Sequence, residues 1–234
     1  FPERFFAVGV AEQDMIGIAS GFALSGKIAF ACTFSVFASG RVWDQIRVSV
    51  CYMNQNVKIG ATHGGISVGP DGATHQALED IAIMRALPNM KVIVPADSIQ
   101  AKKATIAAAN CPGPVYLRFG RSAVPYVSSE TDKFRIGKAD ILKTGKDITL
   151  IACGVMVDSA LKASEILKKD SIDAGVINMH TIKPIDQDAI CKAAKNSGAI
   201  VTCEEHSVIG GLGSAASEVV CKLGPVVPME MVGT

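Results

Sequence analysis

The sequence predicts an α/β protein of two domains, each a mostly parallel sheet covered by helices. Short runs rich in β-branched residues alternate with segments of helix length along most of the chain. The runs are continuously apolar, which is typical of parallel strands that are buried on both faces. Residues 120–135 interrupt this alternation with Gly120, Pro125 and mixed charges, which indicates a linker. We therefore expect domains at residues 1–128 and 129–234.

The first domain is predicted to alternate four strands with four helices. In the helix predicted over residues 42–54, Val42, Ile46 and Val50 fall on one face at a period of 3.6 residues. The predicted strands cover residues 28–33, 57–61, 91–94 and 115–119, and the predicted helices cover residues 12–24, 42–54, 76–87 and 98–110.

The second domain is predicted to repeat the same alternation. At the start of the chain, Phe1 already falls within a strand-like pattern; at the other end, the chain stops at Thr234 without a capping element. We therefore expect the chain to be trimmed or disordered at both ends. The predicted strands cover residues 148–153, 174–179 and 199–204, and the predicted helices cover residues 156–169, 187–196 and 212–223.

The composition excludes several classes of partner. Hydrophobic residues make up 49% of the chain, and 23 basic side chains nearly balance 22 acidic ones, so we expect no nucleic-acid partner. The longest apolar run, residues 148–157, is shorter than the roughly 20 residues of a membrane-spanning helix, so we expect no membrane contact. None of the seven cysteines are spaced as Cys-x-x-Cys, which favours reduced thiols in a cytoplasmic protein over disulfides or zinc.

A glycine-rich loop at residues 61–75 is the segment richest in chemistry. It follows a predicted strand, and it carries Asp71 and two of the four histidines, His63 and His75. Loops at the carboxyl ends of strands are where open α/β sheets bind ligands. The alternative is an ordinary loop with solvated histidines, but their concentration in one loop favours a functional role.

Two further segments are ambiguous when each is taken alone. Glu12 lies where a strand gives way to a helix, and an acidic residue in a first turn is favourable without any function. Phe34 and Phe37 lie just past a predicted strand, and two phenylalanines three residues apart are more often core than a stacking surface.

Together, and in this order, these segments resemble the transketolase family. The resemblance runs through nearly the whole chain, and it depends on the combination rather than on any single motif. The matching motifs are Ala11-Glu12-Gln13, Thr33-Phe34-x-x-Phe37, Trp43-Asp44-Gln45-Ile46-Arg47, Thr62-His63, Gly69-Pro70-Asp71-Gly72-Ala73-Thr74-His75, Leu78-Glu79-Asp80-Ile81-Ala82, Pro95-Ala96-Asp97, Thr181-Ile182-Lys183-Pro184 and Glu205-His206 followed by Gly210-Gly211.

The resemblance implies an enzyme that uses thiamine diphosphate to move a two-carbon ketol unit from a ketose phosphate to an aldose phosphate. Glu12 matches the glutamate that bonds a ring nitrogen of the aminopyrimidine, a task for which we expect a buried carboxyl with a raised pKa. Phe37, with Phe34 beside it, matches the aromatic surface on which that ring stacks.

The resemblance also assigns residues to the sugar. His63 and His75 match histidines placed near the reacting hydroxyls, and Asp71 matches an aspartate that binds a hydroxyl of the donor. Arg121 matches an arginine that binds the sugar phosphate, but Arg118 lies only three residues earlier and could be the matching residue instead. Two positions depart from the family: Pro70 stands where the family often has an acidic residue, and Gly40 where some members have an aromatic residue near the cofactor. They leave the contacts at the edge of the cofactor and the substrate preference open.

The resemblance further implies a partner chain. The cofactor class binds its diphosphate through Mg²⁺ held by a Gly-Asp-Gly stretch and a following asparagine, and this chain contains no Gly-Asp-Gly. We therefore expect no metal ligands here, an N-terminal transketolase subunit that holds Mg²⁺ and the diphosphate, and an α₂β₂ assembly in which this chain self-associates.

Three alternatives stay open. A 1-deoxyxylulose-5-phosphate synthase-like chain shares most of the motifs but usually lacks the pair Thr62-His63, and a 2-oxoacid dehydrogenase β-like subunit is disfavoured for the same reason. A non-catalytic binding homologue is disfavoured because the chain keeps Glu12, Phe37 and both loop histidines.

Overall fold

Two five-stranded sheets covered by helices make up the protein in the computed structural model, which describes residues 1–234. The strands are β1 (Ala29–Phe34), β2 (Val57–Thr62), β3 (Lys91–Ile93), β4 (Val115–Arg118), β5 (Asp140–Lys143), β6 (Ile148–Ala152), β7 (Ala174–Asn178), β8 (Thr181–Lys183), β9 (Ile200–Cys203) and β10 (Met229–Val232). The helices are α1 (Glu12–Leu24), α2 (Trp43–Gln45), α3 (Asp80–Ala86), α4 (Ser98–Asn110), α5 (Met156–Lys169), α6 (Gln187–Asn196) and α7 (Leu212–Leu223).

The sheets confirm the predicted fold class. Their strand orders are β1-β2-β4-β3-β8 and β10-β9-β6-β7-β5. Neighbouring strands are parallel except for β3 with β8 and β5 with β7. None of the helices is long and apolar enough to cross a membrane.

Most of the predicted elements are present. All seven predicted strands occur within one residue of their predicted bounds, and α1, α4, α5, α6 and α7 begin and end where they were predicted. The strands β5, β8 and β10 were missed; two of them are the antiparallel members of their sheets, and β10 lies at an edge. The strand pattern expected at the start of the chain is wrong, because Pro2–Arg4 form a single 3₁₀ turn.

Two helix predictions need correction. The segment predicted as a helix over 42–54 is α2 flanked by π-helical turns at Phe37–Arg41 and Ile46–Tyr52. Such wider turns are rare in proteins, and those that do occur are often at functional sites. The helix predicted over 76–87 begins only at Asp80, because Ala77 pairs through its backbone with Gly64 and Gly65 in the glycine-rich loop.

The two halves of the chain are joined through the first sheet. Strand β8 comes from the second half of the chain and pairs with β3. The Val94 N–H donates to the carbonyl of His180 at 2.8 Å, which extends this pairing. One hydrophobic cluster contains buried side chains from both halves, so the sheets pack against each other as a unit.

A buried ion pair lies at this junction. Arg118, at the end of β4, donates from Nε to Asp80 Oδ2 at 2.8 Å, and both side chains are at most 5% exposed. The Tyr116 hydroxyl donates to the same oxygen at 2.8 Å. Burial, followed by the charge of Asp80, raises the pKa of Tyr116 well above its ordinary value, so the phenol stays a donor. Arg118 Nη2 also donates to the carbonyls of Ala77 and Glu205, both at 3.0 Å.

We expect Asp80→Asn to lower the free energy of unfolding by about 3–5 kcal/mol, because it leaves the Arg118 charge buried without a counter-charge. Glu218→Gln is the matched control, because it breaks an Arg85–Glu218 pair whose Glu218 side chain is 64% exposed. Such a pair contributes roughly 0–1 kcal/mol. Denaturant unfolding at one fixed chain concentration compares the two variants, and equal losses would contradict the prediction.

Candidate active site

Four rings form one cluster at the carboxyl ends of β1 and β2. Phe34 ends β1, Phe37 follows it, and His63 comes directly after β2, whose last residue is opposite Phe34. The His63 ring stacks on Phe34 with 3.8 Å between centroids and 22° between planes. His75 meets Phe37 edge-on at 5.4 Å and Phe34 at 6.2 Å. The two predicted segments therefore converge because β1 and β2 are parallel neighbours.

Glu12 joins this cluster through an arginine that the motifs did not indicate. Glu12 is the first residue of α1 and is 6% exposed, and its Oε2 accepts a hydrogen bond from Arg41 Nη1 at 2.9 Å. The Arg41 guanidinium also lies over the Phe37 ring, 4.6 Å from its centroid. The sequence predicted no helix over residues 37–41, where the structure has a π-helical turn, so it carried no signal for this contact.

Both histidines are oriented in the same way. His63 Nδ1 lies 3.0 Å from Thr62 Oγ1, and His75 Nδ1 lies 2.9 Å from Thr74 Oγ1. In each case the threonine directly before the histidine engages Nδ1, and the Nε2 atoms make no hydrogen bond within the chain. Nε2 is therefore the nitrogen of each ring that is free to meet a ligand.

Asp71 and Arg121 lie outside the ring cluster, Asp71 on the glycine-rich loop and Arg121 on the segment that follows β4. Asp71 is exposed at the end of the 3₁₀ turn Gly69–Asp71. Arg121 is exposed, and its Nη1 donates to the carbonyl of Val68. Because Arg118 is buried against Asp80, Arg121 is the one of these two arginines that is open to an anion.

The residues present fit an aminopyrimidine ring. Arg41 already places a planar group with N–H donors over Phe37 and against the buried Glu12 carboxylate. A flat nitrogen heterocycle needs the same two contacts, an aromatic face and a carboxylate. The chain brings together no group of three or more His, Cys, Asp or Glu side chains that could hold a metal ion.

Two other kinds of surface feature lie outside this site. Two cavities of about 270 and 320 Å³ lie elsewhere, one lined by Arg85 and Glu218 and the other by Lys133 and Arg135. Large apolar side chains are exposed on and around α1 and on β1, which is an edge strand. They include Phe5, Phe6, Val10, Ile18, Leu24, Ile28 and Phe30. An apolar surface of this kind marks an interaction site.

Family models match both halves of the chain. Residues 1–127 match the model described as "Transketolase, pyrimidine binding domain". Residues 137–234 match the model described as "Transketolase, C-terminal domain".

Two relatives and one solved structure are similar over nearly the whole chain. A "Putative transketolase C-terminal section" of Methanocaldococcus jannaschii is 53% identical over 96% of this chain and 71% of its own length. A 6-deoxy-6-sulfo-D-fructose transketolase subunit of a Clostridium species is 46% identical over 99% of this chain and 72% of its own length. A structure described as a split gene transketolase, inactive β₄ tetramer, is 49% identical, covers 100% of this chain and 76% of its own, and has a TM-score of 0.94.

Proposed function

The chain belongs to the transketolase family, and from that premise we propose that it is the C-terminal subunit of a split, thiamine-diphosphate-dependent transketolase. In this proposal it transfers a two-carbon ketol unit from a ketose phosphate to an aldose phosphate, and it does so only with a partner chain. Residues 1–128 form the pyrimidine-binding domain, and residues 129–234 form the C-terminal domain.

The convergence of Glu12, Phe37, His63 and His75 at one edge of the first sheet carries the proposal. These side chains come from three separate segments, and contacts through Arg41 and Phe34 connect them into one continuous site. A non-catalytic binding homologue would not need a buried carboxylate, an aromatic face and two histidines in one place.

In the proposed site, Glu12 binds and shares a proton with a ring nitrogen of the cofactor, and Phe37 covers the face of the ring. Thiamine diphosphate, when bound, supplies the carbanion chemistry that protein side chains lack. Arg41 has to share or release Glu12 when the ring enters, because both groups use the same carboxylate. The aromatic cluster excludes water from one side of the site.

The loop residues act on the sugar in this proposal. His63 and His75 present Nε2 to the reacting hydroxyls, where they can donate hydrogen bonds and move protons. Asp71 accepts a hydrogen bond from a donor-sugar hydroxyl, and Arg121 binds the phosphate through its planar guanidinium. The exposure of Asp71 and Arg121 supports roles at the open end of the site.

An N-terminal transketolase subunit completes the site by holding Mg²⁺ and the diphosphate. The exposed apolar side chains around α1 and β1 support an interface with it or with a second copy of this chain. The similar split-gene protein is described as an inactive tetramer of β chains, which supports a need for the other chain. We propose an α₂β₂ assembly in the cytoplasm, where the seven free cysteines would stay reduced.

We expect Glu12→Ala in the assembled enzyme to lower kcat by roughly 10²–10⁴-fold, because it removes a positioned proton-transfer partner. Asp14→Ala is the control: it removes an exposed acidic side chain in the same helical turn and should leave turnover unchanged. Steady-state ketol transfer at saturating cofactor measures both. Turnover close to wild type in the Glu12 variant would remove the basis of the assignment.

We expect Phe37→Ala to weaken thiamine-diphosphate binding more than Phe34→Ala does, because His63 already covers a face of Phe34. Lost stacking of roughly 0.5–1.5 kcal/mol plus lost buried surface corresponds to a rise in Kd of about tenfold. Titration of the cofactor into the assembled complex with Mg²⁺ measures the change. Unchanged affinity would mean that Phe37 is ordinary core.

We expect the purified chain to show no ketol transfer with thiamine diphosphate and Mg²⁺, and to gain it when a chain carrying the diphosphate-binding half is added. Light scattering should then report a complex with two copies of each chain. Assays with a sugar phosphate, a sulfosugar, and pyruvate with an aldose phosphate separate transketolase from the synthase-like alternative. Full activity of this chain alone would refute the split-subunit proposal.

A further inference from the structure

The carboxylate of Glu205 reaches from the second half of the chain into the loop that carries His63. Glu205 is 9% exposed, and its Oε1 accepts a hydrogen bond from the Ser67 N–H at 2.7 Å. A Cβ added at Gly65, whose φ is +93°, would lie 2.3 Å from Glu205 Cδ. The carboxylate therefore packs directly on the loop backbone, where only glycine leaves room for it.

Arg118 holds the neighbouring glycine in the same way. A Cβ added at Gly64 would lie 2.7 Å from Arg118 Nε. The Gly64 N–H donates to the carbonyl of Phe119 at 3.0 Å, and the Gly65 N–H donates to the carbonyl of Ala77 at 2.9 Å. Each glycine is thus fixed by a backbone hydrogen bond and packs against a charged side chain.

His63 directly precedes this pair and has φ of +60°. A non-glycine residue adopts this left-handed conformation only where its surroundings enforce it. The contacts of Gly64, Gly65 and Ser67 are the nearest constraints that follow it along the chain. The orientation of the His63 ring against Phe34 thus depends on how this turn, residues 63–67, is held.

Stability does not explain the burial of Glu205. Its Oε2 is buried and has no hydrogen-bond partner within the chain. Arg118 gives its charged hydrogen bond to Asp80 and bonds only the backbone carbonyl of Glu205. A carboxylate that is buried with one oxygen unpaired lowers stability.

Glu204, the preceding residue, provides the contrast. Its two oxygens accept hydrogen bonds from the N–H groups of Leu212 and Gly213 at 2.7 and 2.8 Å, at the start of α7. Both oxygens are used and the helix N-terminus is satisfied, so its burial has a structural reason. Glu205 has a single use for its carboxylate, and that use lies in the loop.

We infer that Glu205 is a positioning residue: its carboxylate holds the turn at residues 63–67 so that His63 stacks on Phe34 and presents Nε2 to the substrate. The inference rests on the proposed function, in which His63 acts on the sugar. It gives the C-terminal half of the chain a part in positioning an active-site residue.

The test compares Glu205→Ala with Glu205→Gln in the assembled enzyme. Because misplacement by about 1 Å can lower a rate by about 10²-fold, Glu205→Ala should lower kcat by about 10- to 100-fold and leave the cofactor Kd within about twofold. Glu205→Gln keeps the volume and an acceptor for Ser67, so it should restore most of kcat. Glu218→Gln, a carboxylate of the same half that pairs with Arg85, is the control and should change neither quantity.

Amide hydrogen exchange supplies a readout that does not depend on activity. Glu205→Ala should speed exchange at Ser67 and Gly65 selectively, while Glu205→Gln should exchange like the wild type. Faster exchange throughout the chain would assign Glu205 a merely structural role and overturn the inference. An unaffected kcat with faster loop exchange would also overturn it. Absence of ketol transfer in the wild-type complex would instead refute the proposed function, whatever the loop exchange shows.

Discussion

The ion pair of Arg118 and Asp80 is the interaction on which the junction between the two halves depends. It joins the end of β4 to the start of α3. Arg118 Nη2 also donates to the carbonyl of Ala77, just before α3, and to the carbonyl of Glu205 in the second half of the chain. Two charges removed from water are favourable only when further hydrogen bonds satisfy them. Asp80 Oδ1 is buried without a hydrogen-bond partner within the chain, but Tyr116 donates to Oδ2 and two carbonyls accept from Arg118. The polar network, rather than apolar packing alone, therefore fixes how the halves meet.

The same network divides the glycine-rich loop into fixed ends and an exposed middle. At its first end, the backbone that follows His63 packs against Arg118 and Glu205. At its second end, Ala77, two residues after His75, pairs through its backbone with Gly64 and Gly65. Asp71 lies in the exposed stretch between them. In the proposed function, this arrangement places the groups that move protons where the backbone is fixed. The group that recognises the sugar in this proposal lies in the exposed stretch, where a change of residue disturbs the core least.

The fold could largely be predicted from the sequence, because strands buried on both faces appear as unbroken apolar runs. Five helices were predicted with correct bounds, whereas the π-helical turns around α2 leave no signature in residue preference. The late start of α3 depends on the pairing of Ala77 with a distant loop, which propensity cannot reveal. The order of the motifs indicated the site residues, and the concentration of His63, Asp71 and His75 in one glycine-rich loop was a second indication; their roles stay predictions. Glu205 could not be assigned a role from sequence, because it acts on Ser67 across 138 residues.

Arg41 accounts for how half of a site can exist without its other half. A buried carboxylate with no partner and an aromatic face open to water are both unfavourable, and Glu12 and Phe37 would present both. The guanidinium of Arg41 removes both problems, because it forms an ion pair with Glu12 and covers a face of the Phe37 ring. In the proposed function an entering ring has to replace these contacts, so part of its binding free energy is spent on displacing Arg41. Contacts from the partner chain to the diphosphate then have to supply the difference, which ties cofactor binding to assembly.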